Sequence, residues 1–229
     1  MKKNNLILGT FLAITAIFFS GCGASSSSDS TSTEKVEGST ESTESGAVVT
    51  IGSQVWTSKN LDVSTYRNGD VIPQVQDQNA WANLTTGAWC YYDNDASNGT
   101  KYGKLYNWYA VKDARGLAPK GFHIPSDAEW TILTDYLGGK KAAGTKMKSG
   151  SGWYANGNGT NSSGFAGFPG GARDRDGRFG EVGSYGGWWG ATEDNSNSAW
   201  NRDLYYIFDE VNLYHYERQY AFSVRCLGD

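Results

Sequence analysis

The stretch Gly121-Phe122-His123-Ile124-Pro125-Ser126-Asp127-Ala128-Glu129-Trp130 decides how the chain is read. Ser126 followed three residues later by Glu129 has the form of a capping box, in which each side chain satisfies a backbone N–H left free at a helix start. Asp127 adds negative charge in the first turn, where the helix dipole favours it. Trp130, Leu133 and Leu137 then recur on one face, and Gly138-Gly139 offers a left-handed stop. A helix over residues 127–137 is predicted. A shorter one is predicted over 105–111, where Leu105, Trp108 and Val111 would share a face.

Around this helix the texture is different. From Val48 onward, short apolar or aromatic runs alternate with Gly, Asn, Ser and Asp, the pattern of short strands and long ordered loops. Strands are predicted at 178–182, 188–192, 200–208, 211–216 and 220–227, with Asp176-Gly177 and Asp209-Glu210 as hairpin connections. In the last of these, Phe222, Val224 and Cys226 fall on one face and Ser223 and Arg225 on the other, which points Cys226 inward. The fold class expected is α+β.

Composition narrows the function classes. The chain has 229 residues, room for one ordinary domain plus extras, and only 38% of them are hydrophobic, but 9 Trp, 14 Tyr and 9 Phe can bury large areas. A net charge of -4 lacks the basic footprint that phosphate neutralisation requires, so nucleic acid is not an expected partner. His123 and His215 are the only histidines, little material for a histidine-rich metal centre.

The N-terminal part reads as an address and an anchor. Lys2 and Lys3 precede an apolar run from Leu6 to Phe19 that is short for a membrane span, so residues 1–21 are expected to be an export signal. Phe19-Ser20-Gly21-Cys22 resembles the lipobox of bacterial lipoproteins, apart from Phe19, where that pattern usually carries Leu. Lipidation at Cys22 would anchor the chain in a bilayer through its acyl chains, at the bacterial outer membrane or cell surface. Residues 22–46 hold 13 Ser or Thr and five acids against Lys35, the composition of an extended tether. The folded domain is expected at 47–229.

An exported chain with Cys22 lipidated keeps Cys90 and Cys226. A bridge between them would close a long loop and stabilise by about 2–5 kcal/mol. The competing reading is two buried thiols acting as small apolar groups.

Seven blocks carry a family resemblance: IGSQVWTSKNLDV (51–63), WCYYDND (89–95), YGKLYNWYAV (102–111), GLAPKGFHIPSDAEW (116–130), GFAGFPGGARDRDGRF (164–179), VGSYGGWWGATE (182–193) and AFSVRCLGD (221–229). In this order they resemble the Fibrobacter succinogenes major paralogous domain family, over essentially all of 47–229. The resemblance implies a C-type lectin-like fold, shared with formylglycine-generating enzymes, in surface or exported bacterial lipoproteins. It also sets limits. Many members carry a cysteine where this chain has Ala118, and some another near Gly99. The related enzymes use two neighbouring cysteines, their iron-dependent relatives three histidines, and this chain offers Cys226 alone in its C-terminal half. No catalytic constellation is visible, so an enzyme is not expected. An enzyme remnant, or a passive structural surface protein, is the alternative.

Binding is expected instead in the aromatic segment from Trp188 to Tyr220. Trp188 and Trp189, flanked by glycines, read as core. Asn201, Arg202, Tyr205, Tyr214 and Tyr216 are the expected ligand face, with rings for contact area and polar groups for adaptable hydrogen bonds to a glycan or protein. No cofactor is expected. Asp93, Asp95 and Ser97, and Asp174, Asp176 and Glu181, loosely suggest calcium loops, but neither has the full ligand count and polar turns account for both. Glu193-Asp194-Asn195 and Trp200-Asn201 only echo the calcium and sugar triplets of C-type lectins.

Overall fold

The computed structural model describes residues 47–229, and the expected export signal (1–21), the lipidation site Cys22 and the tether (22–46) lie outside them. The described strands are β1 (Val48–Ile51), β2 (Gln54–Thr57), β3 (Trp89–Cys90), β4 (Leu105–Asn107), β5 (Phe122–His123), β6 (Gly170–Arg173), β7 (Phe179–Val182), β8 (Tyr185–Glu193), β9 (Ser198–Tyr205), β10 (Asn212–Glu217), β11 (Ala221–Phe222) and β12 (Leu227–Gly228). The helices are α1 (Gln78–Ala82), α2 (Ser97–Tyr102), α3 (Trp108–Val111), α4 (Asp127–Tyr136) and α5 (Lys140–Met147). The fold is thus mixed α+β, mostly strand.

Two sheets result. β1 and β2 form a hairpin around Gly52, whose φ of 63° suits a residue without a side chain. Leu227 of β12 pairs with Trp56 of β2, so the first and last strands share one sheet of order β1-β2-β12-β5. The second sheet runs β10-β9-β8-β6-β11-β4-β3, with β7 paired to β6.

Local signals were decisive at α4. The Ser126 hydroxyl accepts from the Glu129 N–H at 3.3 Å, and Glu129 Oε2 accepts from the Ser126 N–H at 2.8 Å, which completes the capping box. Gly138 and Gly139 follow with φ of 101° and 85°. At 105–111 the single helix is corrected. Leu105–Asn107 is a strand paired with β3 and β11, and helix begins only at Trp108, because the Asn107 side chain caps the Ala110 N–H at 3.1 Å.

The predicted strand at 220–227 is likewise corrected to two short ones. β11 belongs to the second sheet and β12 to the first, so the segment between them crosses from sheet to sheet and is covered on both sides. Ser223 and Arg225, on the face opposite Cys226, are therefore buried as well. The Arg225 guanidinium donates to the Thr57 carbonyl at 2.9 Å and the Phe165 carbonyl at 2.6 Å, and to Asn60 Oδ1 at 3.0 Å.

Tryptophans carry much of the core. Trp188 and Trp189, adjacent on β8, point to opposite sides, Trp188 against Phe165 at 5.4 Å and Trp189 against Phe222 at 4.8 Å between ring centres. Their indole N–H groups are satisfied by Asn60 Oδ1 at 2.8 Å and the Tyr106 carbonyl at 2.9 Å, which removes the cost of burying them. Cys90 and Cys226 are not bridged, which corrects the disulfide expectation. Cys90 packs with Trp81, Ala88, Leu105 and Ala221, whereas Cys226 packs in a separate cluster with Tyr106, Trp108, Phe222 and Val224. Each thiol serves as a small apolar group inside its own cluster.

Candidate functional site: an aromatic cleft over the C-terminal strands

Strand alternation determines which side chains meet. In β9, Asn201, Asp203 and Tyr205 face one way, and Arg202 and Leu204 the other. Antiparallel pairing sets Asn212 opposite Asp203, Tyr214 opposite Asn201, and Tyr216 opposite Ala199. β8 adds Tyr185 opposite Tyr205 and Gly187 opposite Asp203. A Cβ at Gly187 would lie 2.5 Å from the Tyr185 hydroxyl, so the bare backbone there makes room for the phenol. Of these residues Tyr185, Asp203, Tyr205, Asn212, Tyr214 and Tyr216, with Glu181 of β7 and with Phe208 and Tyr220, line a cleft of about 480 Å³, in the size range of small-ligand sites. The β6–β7 wall is pinned from behind by Arg173, which donates to the carbonyls of Val75 at 2.6 Å and Gln76 at 2.8 Å.

The five residues expected to form the ligand face divide. Tyr205, Tyr214 and Tyr216 converge on the cleft, and Tyr214 is 55% exposed. Asn201 is fully buried beneath it, where its Oδ1 accepts from the Tyr185 hydroxyl at 3.2 Å. Arg202 is a correction: only 5% exposed, it faces α4 and forms an ion pair with Asp127, Nη2 to Oδ1 2.7 Å. Neighbours in a strand point to opposite faces, so Asn201 and Arg202 could not both belong to one surface.

Asp203 was missed by the sequence reading. It is 3% exposed and lines the cleft, its Oδ1 accepts from Asn212 Nδ2 at 3.0 Å, and its buried Oδ2 accepts no hydrogen bond among the described residues. Burial pushes its carboxyl up to about 6, against the opposing effects of the Asn212 hydrogen bond and the Lys140 charge. Burial also raises the Tyr185 and Tyr216 phenols, which keeps them protonated as donors. Period two, applied from Asn201 to Tyr205, would have placed Asp203 on their face. The signal was present but was obscured by the adjacent Arg202.

Elsewhere, the acidic loops are occupied with their own turns. Asp95 Oδ1 accepts from the Ser97 N–H at 2.9 Å and Asp174 Oδ1 from the Arg178 N–H at 2.8 Å. Asp194 Oδ2 accepts from the Ser198 hydroxyl at 3.0 Å. Among the described residues, no three His, Cys, Asp or Glu side chains gather as a metal-binding group. His123 lies between two carboxylates, Nδ1 2.8 Å from Asp229 and Nε2 2.9 Å from Glu129, so it ties β5 to the start of α4 and to the residue after β12.

No helix among the described residues is long and apolar enough to cross a membrane. No curated protein and no solved structure matches the chain. A family model described as the Fibrobacter succinogenes major domain matches residues 49–227, nearly the whole of the described fold. The capped α4, the cleft and both sheets except Val48 and Gly228 fall within that span, and the chain belongs to the Fibrobacter succinogenes major domain family.

Proposed function

We propose that the chain is a lipid-anchored binding module of the bacterial surface, with a C-type lectin-like domain that recognises a glycan or protein ligand. The carrying observation is the cleft itself: Tyr205, Tyr214 and Tyr216 gathered around Asp203, a buried carboxylate with one oxygen unsatisfied. Rings supply contact area at low entropic cost, and a polar group at the floor confers orientation. The placement of the first and last strands in one sheet, joined through β2, supports the lectin-like comparison. Binding is favoured over thiol catalysis because burial pushes both Cys90 and Cys226 up to about 12, away from reactive thiolate. Cys22, the first residue of the acidic tether, is the proposed lipid attachment.

The test is an array of glycans and secreted proteins probed with the full chain, with and without calcium. A hit that is lost in Tyr214→Ala supports the reading, and a hit indifferent to Tyr214 overturns the assignment of the cleft. Cys22→Ala should release the chain from membranes. If the processed variant still partitions with them, the anchor is wrong.

A further inference from the structure

The cleft carries an unbalanced charge. Its acidic lining residues are Asp174, Glu181 and Asp203, and its basic one is Arg178. Arg178 leans away onto Asp176, Nη1 to Oδ2 3.5 Å. Asp174 is held by the Arg178 N–H, and Glu181 Oε2 accepts from the Ser184 hydroxyl at 2.7 Å. Asp203 is left with Oδ2 buried and unpartnered. A buried acceptor of this kind calls for a donor from outside the fold. Around it stand the rings of Tyr185, Tyr205, Tyr214 and Tyr216, whose faces attract cations.

We infer that the cleft receives the primary ammonium of a lysine side chain presented by a protein partner, with Asp203 as its counter-ion. This deepens the binding-module reading and rests on it. A quaternary ammonium would suit the rings but has no N–H for Oδ2, whereas a primary ammonium has three. The four-carbon stem of lysine matches a wall of aromatic carbon, as such stems commonly lie along apolar surface. An amino sugar would bring several hydroxyls against that wall instead. Phe208 at the cleft is 47% exposed and its chain neighbour Ile207 59%, apolar area that a protein surface would cover.

The experiment titrates the full chain with Nα-acetyl-lysine N-methylamide, its norleucine analogue lacking the ammonium, and glucosamine, followed by ligand-observed NMR at pH 7.5. The lysine derivative should bind at least tenfold more tightly than the norleucine analogue and than glucosamine. Asp203→Asn should abolish that preference while remaining folded, as checked by thermal melting, and Tyr214→Ala should weaken binding severalfold. Equal affinity for lysine and norleucine derivatives, or a preference that survives Asp203→Asn, overturns the counter-ion role. Tighter binding of glucosamine replaces the protein partner by an amino sugar. If the lysine derivative fails but array ligands still bind in a Tyr214-dependent way, this inference falls and the binding module stands. If neither binds, both fall.

Discussion

Arg202 and Asp127 form an ion pair across the seam between β9 and α4, 2.7 Å from Nη2 to Oδ1, with the arginine almost wholly buried and also donating to Thr131 Oγ1 at 3.2 Å. The pair fastens the strand that carries the cleft to the capped helix behind it. Arg202→Ala removes buried stem packing and charge together, and should cost about 2–4 kcal/mol in urea denaturation. Tyr214→Ala, at an exposed ring, should shift stability by only about 0.5 kcal/mol. Equal losses in the two variants would contradict the opposed faces of β9.

Asp203 should make stability depend on pH. The folded chain holds the Asp203 proton up to about pH 6, whereas the unfolded chain releases it near the ordinary value of 3.8. The stabilising contribution is therefore complete below the unfolded value and lost as pH rises through 6, at a cost on the order of 2–3 kcal/mol at neutral pH. The groups facing it are Asn212, Lys140, Tyr185 and Tyr216. Asp203→Asn should be more stable than the parent at pH 7.5, with the gap closing by pH 4. A variant no more stable at pH 7.5 would show that the buried carboxylate carries no penalty.

His123 works in the same direction from a different cause. Burial alone would lower its value, but the hydrogen bonds and charges of Asp229 and Glu129 prevail and raise it. A raised histidine contributes stability that is complete below its ordinary value of 6.5 and lost as pH climbs through the folded value. The stability difference between the parent and His123→Gln, from denaturation curves, should be larger at pH 5.5 than at pH 8.5. The opposite order would contradict the carboxylate clasp.

The cysteines offer a chemical check. Without any reductant, Cys90 and Cys226 should resist iodoacetamide in the native chain and both react after unfolding, because each is buried and unbridged. Peptide mapping that finds them linked would restore the disulfide and contradict their separate packing.

What sequence alone determined about this protein is what short-range physics controls. Ser126, Glu129 and Gly138-Gly139 act within a few residues of one another, so α4 was legible. The indoles of Trp188 and Trp189 are large enough that, between glycines, burial was the readable outcome, and seven ordered blocks sufficed for the family. Tertiary structure alone decided which way each strand residue faces. Arg202 goes to α4 and Asp203 to the cleft because α4, whose Asp127 lies 75 residues away in sequence, packs against one face of β9 and leaves the other to the cleft. The same holds for Arg225, buried because its segment crosses between sheets, and for the two thiols, kept apart by the clusters they enter. A strand's faces are equivalent until its neighbours are in place, because alternation fixes only that successive side chains oppose, and packing against distant segments chooses which of them is buried.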